Sequence, residues 1–192
     1  MPGPLHWSCR CGSVTLEIRE GGGLRGVCYC SHCQAFARHL GAGADLDPAG
    51  GSDLYQTTPD LVGVLTGHDR FACLRLTSKG PLRWYTSCCR TPIANTATTR
   101  QVPFASLALA HAADRDAAGP IRARLYTDSA TGPLPGKASG LGPMILGVIL
   151  RGLSARLSGR HRDTPFFDAD GLPYADPARL TPDERAAAYR RS

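Results

Sequence analysis

The feature that most constrains this chain is a set of three cysteines within six residues, Cys28, Cys30 and Cys33, spaced C-x-C-x-x-C. Thiolate sulfur is a soft ligand that suits zinc, and short spacings let one turn of backbone fold over an ion. Cysteines one residue apart rarely reach disulfide geometry without strain, so the pattern favours a metal site. A site with three protein ligands leaves one position open, which is typical of catalytic zinc. The triplet therefore predicts an enzyme.

Composition indicates a globular protein of one domain, or of one domain with an extension. The chain has 192 residues, of which 42% are hydrophobic and 20% charged. Its net charge of +6 is modest for a dedicated nucleic-acid binder, so nucleic acid is not expected as a partner. Residues 1–7 lack the basic start and apolar run of a signal peptide. We therefore expect a cytoplasmic protein with reduced thiols.

A second C-x-C pair, Cys9 and Cys11, precedes residues 14–18, where apolar and polar side chains alternate. This alternation predicts a strand with one buried face. Gly12 permits a close fold of the backbone around an ion. Two thiols cannot complete a tetrahedral structural site, so the remaining ligands must come from elsewhere in the chain.

The adjacent thiols Cys88 and Cys89 follow a predicted strand at residues 82–85. Neighbouring residues of an extended chain point to opposite sides, so both can reach one ion only if the backbone turns there. At least one of them is expected to be a ligand, and Cys89 is favoured. Cys73 stands alone in an apolar run and is expected to be a core residue.

Short apolar runs separated by turns predict a mainly β, antiparallel domain. One helix is predicted at residues 34–41, ended by Gly41. The predicted strands, besides residues 14–18, are 24–29, 53–56, 61–65, 71–76, 82–85 and 106–110.

The C-terminal third differs in composition, because residues 129–162 contain no Asp or Glu. Its first part reads as a Gly- and Pro-rich linker, and residues 143–157 as a helix with apolar side chains one turn apart. We interpret that stripe as a face docked on its own domain, with a peripheral membrane contact as the alternative. Thr181 and Glu184 form a capping-box pattern that predicts a further helix. The stripe consists of Ile145, Ile149, Leu153 and Leu157.

Three motifs stand in order along the chain: C-R-C-G-S-V, C-Y-C-S-H-C-Q and C-R-T-P-I. Together they resemble the glutathione-dependent formaldehyde-activating enzyme family and its relatives named after centromere protein V. The resemblance covers about the first two-thirds of the chain, and the remainder is similar to a less characterised subgroup with a Cys-Cys third motif. It implies a zinc-binding antiparallel β-tent over residues 1–128, followed by a basic linker and short helical extension over residues 129–192.

The resemblance also implies two zinc sites. Cys28, Cys30 and Cys33 would hold a catalytic zinc, and Cys9 and Cys11 would join Cys88 and Cys89 in a structural one. The third motif of the family is normally C-x-x-C-G, whereas this chain has Thr86 at the first cysteine and Arg90 at the glycine. Either Cys88 takes over as the fourth ligand, or the structural site is altered or empty.

The reaction implied is that of a carbon–sulfur lyase, in which a small thiol such as glutathione adds to formaldehyde or another small aldehyde, or the reverse. The same chemistry on another thiol or electrophile is an alternative. A different class is a non-catalytic zinc-binding module whose basic C-terminal segment contacts a partner protein, nucleic acid or a membrane surface. A fourth cysteine or histidine within bonding distance of the triplet would favour that module.

Overall fold

A computed structural model describes residues 4–20, 22–137 and 141–190 of the chain. Within these ranges, eleven strands form two sheets, and three α-helices pack around them. The smaller sheet is antiparallel and contains β1 (Leu5–Ser8), β2 (Thr15–Ile18) and β5 (Val62–Thr66), in the order β1-β2-β5. The prediction of a mainly β fold is confirmed.

The larger sheet has eight strands in the order β10-β3-β4-β9-β8-β7-β6-β11. Its inner pairs are antiparallel as predicted, but both edge pairs, β10 with β3 and β11 with β6, are parallel. Both edge strands, β10 and β11, come from the C-terminal half of the chain, and each adds to one edge of the sheet in the direction of its neighbour. The strands are β3 (Leu24–Cys28), β4 (Ser52–Thr57), β6 (Phe71–Arg75), β7 (Leu82–Thr86), β8 (Pro92–Thr96), β9 (Ala105–Ala108), β10 (Ile121–Leu125) and β11 (Pro177–Arg179).

The main core is centred on Trp84, which is fully buried. The indole Nε1 donates to Thr96 Oγ1 at 2.9 Å, which satisfies its one polar group. Phe166 packs on the indole with ring centroids 5.3 Å apart, and Phe167 lies in the same cluster. Phe166 and Phe167, which lie in the predicted C-terminal extension, therefore belong to the core of the predicted N-terminal domain. The predicted boundary between residues 128 and 129 stays a prediction.

Two helices from opposite ends of the sequence pack against each other. α1 (Ser31–His39) begins three residues before the predicted start, and Gly41 follows it with the left-handed φ of 68° expected beyond a helix end. α3 (Pro182–Tyr189) has the predicted capping box between Thr181 and Glu184. Arg38 Nε of α1 donates to the Ala188 carbonyl of α3 at 2.8 Å.

The structure places the helix predicted at residues 143–157, α2, at Leu141–Leu157. The prediction that its apolar stripe docks on the rest of the domain is wrong. The four side chains of the stripe are about half exposed or more, with Ile149 at 51% and Leu157 at 88%. Over residues 142–157 of this helix, the buried side chains are Met144 and Ala155. Met144 packs where Gly26 has no Cβ, because a Cβ there would lie 2.9 Å from Met144 Cε. Close approach over small residues, and not the bulky stripe, decides which side of α2 docks.

No helix in the described ranges is long and apolar enough to cross a membrane. α2 has 17 residues and rests along one side on strand residues of the larger sheet.

Because Phe166 fills the core beside Trp84, we predict that Phe166→Ala lowers the free energy of unfolding by about 3–5 kcal/mol. Leu172→Ala is the control, since Leu172 lies in the same segment but is 63% exposed, and it should change stability by less than ~0.5 kcal/mol. Urea unfolding followed by tryptophan fluorescence measures both. Equal effects of the two substitutions would show that the C-terminal segment does not stabilise the core.

Candidate metal centres and the adjoining cavity

The structure brings Cys28, Cys30 and Cys33 together where β3 passes into α1. Cys28 is the last residue of the strand, Cys30 is the N-cap of the helix, and Cys33 lies in its first turn. All three Sγ atoms lie within 4.8 Å of one another. The strand-to-helix turn thus gathers three ligands from six consecutive residues. Among the described residues, no fourth Cys, His, Asp or Glu ligand atom joins this group.

Hydrogen bonding within the triplet favours the thiolate form of Cys30. Hydrogen bonds from the thiols of Cys28 and Cys33 lower the pKa of Cys30 to about 2, and its sulfur also accepts from the Cys33 backbone N–H at 3.4 Å. Donation to Cys30 raises the pKa of Cys28 well above its usual range. A helix N-terminus favours a thiolate at this position. Metal binding would therefore displace the protons that remain on the other thiols.

A buried cation, Arg83, lies beside the triplet. Its side chain is on β7 and only 4% of the residue is exposed. Its Nη1 atom is 3.9 Å from Cys33 Sγ and donates to Asn95 Oδ1 at 3.0 Å. The sequence analysis did not identify Arg83 as a site residue. Its position between Leu82 and Trp84, in a predicted strand, could have indicated a buried cation. Arg83 offsets part of the negative charge that three thiolates would carry.

Arg83 begins a row of polar side chains that crosses four neighbouring strands. The register pairs Arg83 with Asn95, Asn95 with Ser106, and Ser106 with Gln56. Directly paired residues of antiparallel strands project to the same face. Ser106 is buried, and its Oγ has no hydrogen-bond partner within the described part of the chain. The row is invisible in the sequence, because its members are far apart along the chain.

A cavity of about 730 Å³ lies between this polar row and helix α2. The cysteine triplet and all four members of the row line it. The remaining wall is mainly apolar, and its side chains include Phe104, Leu125, Met144, Ile145, Val148 and Ile149. The triplet thus opens on a space large enough for a small-molecule ligand.

His32 lies at the edge of this cavity and is exposed. Its Nδ1 atom forms a hydrogen bond with the hydroxyl of Tyr189, a residue of α3. Burial raises the pKa of Tyr189. The C-terminal helix therefore contributes a side chain next to the cysteine triplet.

A second cluster consists of Cys9, Cys11, Cys88 and Cys89, whose sulfurs also lie within 4.8 Å of one another. The Sγ atoms of Cys9 and Cys11 are 3.5 Å apart, those of Cys11 and Cys88 3.4 Å, and those of Cys88 and Cys89 3.8 Å. A turn over residues 87–89 points both adjacent thiols to one place, which meets the condition set by the sequence. Cys73 lies elsewhere, in the main core, as expected.

The structure shows how Thr86 and Arg90, the two residues that depart from the third motif of the family, fit the four-thiol cluster. Arg90 has a left-handed φ of 55°, the conformation that glycine adopts most easily. Thr86 Oγ1 lies 3.3 Å from Cys89 Sγ, and Thr91 Oγ1 lies 3.1 Å from it. Burial raises the pKa of Cys89, but hydrogen bonds from these hydroxyls outweigh it and lower the pKa to about 5. Thr86 thus stabilises a thiolate in the cluster, while Cys88 brings the fourth sulfur.

The fold and these two clusters define a mainly β protein with two groups of thiols able to hold a metal ion, one of them beside a cavity. Residues 2–177 match DUF6151, a family of unknown function, and the chain belongs to that family. No curated protein matches its sequence.

One solved structure similar to this chain is a Rhodobacter sphaeroides protein, a structural genomics target. The TM-score is 0.42 at 15% identity, and the alignment covers 62% of this chain and 98% of that one.

Because three thiolates from one short segment would hold an ion, we predict that Cys30→Ser removes about one equivalent of bound metal and leaves the protein folded. Cys73→Ser is the matched control, since it removes a thiol that belongs to neither cluster. Elemental analysis of anaerobically purified protein gives the metal content, and circular dichroism gives the fold. Full metal retention by Cys30→Ser would show the ligand assignment to be wrong.

Arg83→Met should weaken metal binding at the triplet by roughly 10–100-fold, because thiolates without a nearby cation hold their protons more strongly. Arg83→Lys keeps the charge and should lose less affinity. Competition with a chromophoric chelator measures the affinity at constant pH. Identical affinities for Arg83→Met and the unchanged protein would exclude an electrostatic role for Arg83.

Proposed function

We propose that this protein is a zinc-dependent enzyme that forms or cleaves a carbon–sulfur bond between a thiol and an aldehyde. The observation that carries the proposal is the position of the cysteine triplet: three sulfurs within 4.8 Å of one another, lining a cavity of about 730 Å³. The order of the cysteine motifs, which resembles the formaldehyde-activating family, supports the same reaction and a β-tent fold. Glutathione is the thiol that this resemblance implies.

The donor sets fit zinc. A Zn–S bond of about 2.3 Å in tetrahedral geometry separates two sulfurs by about 3.8 Å. The three measured separations in the four-thiol cluster are 3.4–3.8 Å, close to that value. Four thiolates would close a structural site, whereas the triplet would leave a position for a substrate. We therefore assign Cys9, Cys11, Cys88 and Cys89 to a structural zinc and Cys28, Cys30 and Cys33 to a catalytic one.

In the proposed reaction, the thiol sulfur bonds to the carbonyl carbon, the π electron pair of the carbonyl moves to its oxygen, and the thiol proton ends on that oxygen. The product is a hemithioacetal, and no oxidant or reductant is consumed. A zinc ion at the triplet would favour the thiolate form of the incoming thiol at neutral pH.

The side chains of the cavity suit the other needs of this reaction. The Arg83 guanidinium offsets the net charge of minus one that three thiolates and a divalent ion would carry together. The Ser106 hydroxyl and the Asn95 amide lie in the polar row beside it, where they would donate to the carbonyl oxygen as it gains charge. The apolar side chains of α2 would keep water away from the reacting atoms.

The alternative is a non-catalytic zinc-binding module that contacts a partner or a membrane surface. The exposed apolar stripe of α2 favours it, since large exposed apolar surfaces often mark docking sites. Within the described ranges, however, the triplet has no fourth Cys, His, Asp or Glu ligand to close it, and it lines a cavity. These two features favour the enzyme. A cytoplasmic location stays a prediction.

The zinc-loaded protein should accelerate hemithioacetal formation between a thiol and formaldehyde, measured by two-dimensional exchange NMR. Ser106→Ala should lower that rate by roughly 10²-fold, because the carbonyl oxygen loses a hydrogen-bond donor. It should keep both zinc equivalents, since Ser106 is not a ligand. If the unchanged zinc-loaded protein gave only the uncatalysed rate with every thiol and aldehyde pair tested, the enzymatic proposal would fail.

A further inference from the structure

We propose that the cavity beside the cysteine triplet binds a thiol carrying an apolar chain, in preference to a hydrophilic thiol such as glutathione. This inference rests on the proposed function and specifies its substrate class. The chain would lie along α2, and the sulfur would reach the triplet at the other side of the cavity.

The size of the cavity indicates a substrate with more than a few atoms. Its volume of about 730 Å³ compares with the ~30 Å³ that one water molecule occupies in the liquid. Formaldehyde has two heavy atoms and would fill a small part of it. The remaining space is in the range of cavities that enclose whole small-molecule ligands.

The lining determines what can fill that space. Helix α2 presents four apolar side chains from two successive turns to the cavity, Met144, Ile145, Val148 and Ile149, and Phe104 adds an aromatic ring. Covering such surface with an apolar chain contributes about 25 cal/mol per Å² removed from water. The polar groups of the lining all lie away from α2: on the sheet, at the start of α1 and just after β10. They are Arg83, Asn95, Ser106 and Gln56 on the sheet, Ser31 and His32 on α1, and Tyr126 and Ser129 after β10. An amphipathic substrate with its reactive group at one end matches this division.

Glutathione suits this arrangement of apolar and polar walls poorly. It carries two carboxylates and an ammonium group, and each charge needs a partner when it leaves water. The described lining contains no Asp, Glu or Lys. Its arginine, Arg83, already donates to Asn95 and lies beside Cys33, and its histidine, His32, hydrogen-bonds the Tyr189 hydroxyl. The ammonium group of a bound glutathione would therefore have no carboxylate to pair with, and its two carboxylates would have only these two side chains.

The helix offers a matched pair of positions for testing this inference. Ile145 and Ile149 line the cavity, whereas Leu146 and Leu150, the next residue in each case, do not. The two pairs are similarly exposed, with Ile149 at 51% and Leu150 at 57%. Substituting either pair by serine removes two exposed apolar side chains from the same helix, so that the only systematic difference is contact with the cavity.

The experiment uses the full chain loaded with Co²⁺, whose absorption spectrum reports a change of ligands at a tetrahedral thiolate site. The four-thiol cluster serves as an internal constant, since it has no free position. Hexanethiol should perturb the spectrum at a concentration at least tenfold lower than glutathione does. Ile145→Ser with Ile149→Ser should weaken hexanethiol binding by about tenfold, while Leu146→Ser with Leu150→Ser should leave it within about twofold.

The possible results separate this inference from the proposed function. If glutathione binds as tightly as hexanethiol, or if both double variants weaken hexanethiol binding equally, the apolar-substrate inference is overturned while thiol binding at the metal stands. If Co²⁺ binds but neither thiol changes the spectrum, the open ligand position does not exist, and the proposed function fails together with the inference. Circular dichroism of both double variants shows that α2 remains folded in each.

Discussion

The structure depends on holding seven sulfurs in two small volumes without excessive repulsion between thiolates. At the triplet, three features oppose that repulsion: hydrogen bonds among the thiols, the N-terminus of α1 and the Arg83 guanidinium. At the four-thiol cluster, the Thr86 and Thr91 hydroxyls perform part of the same task. The polypeptide itself therefore offsets part of the charge that each group of thiolates would carry. The chain positions its ligands through ordinary turns, caps and strand ends.

The two clusters have different surroundings, and this difference underlies their proposed roles. The four-thiol cluster connects the turn after β1 to the turn after β7 and therefore joins distant parts of the fold. The triplet comes from one local segment, so it adds few long-range constraints. It adjoins the cavity, with a polar row from the sheet on one side and α2 on the other. The proposed structural and catalytic roles thus belong to separate sites of similar composition.

Much of the cysteine arrangement could be predicted from sequence, because it depends on local spacing. The strand at residues 14–18, the triplet and the need for a turn at Cys88 all follow from neighbours along the chain. The polar row of Arg83, Asn95, Ser106 and Gln56 could not be predicted, since it requires the order and register of four strands. The docking side of α2 was predicted wrongly for a similar reason. Apolar periodicity does not reveal that Gly26 leaves room for Met144.

The path of the C-terminal segment has a consequence for biosynthesis. Phe166 completes the core around Trp84, and β11 covers the edge of the larger sheet beside β6. A nascent chain that has emerged only as far as β10 must therefore leave the Trp84 ring partly uncovered and the β6 edge unpaired. Such species are prone to aggregate. The protein reaches its protected state only when the last described strand, β11, has left the ribosome, so premature termination would yield an aggregation-prone fragment with exposed apolar surface.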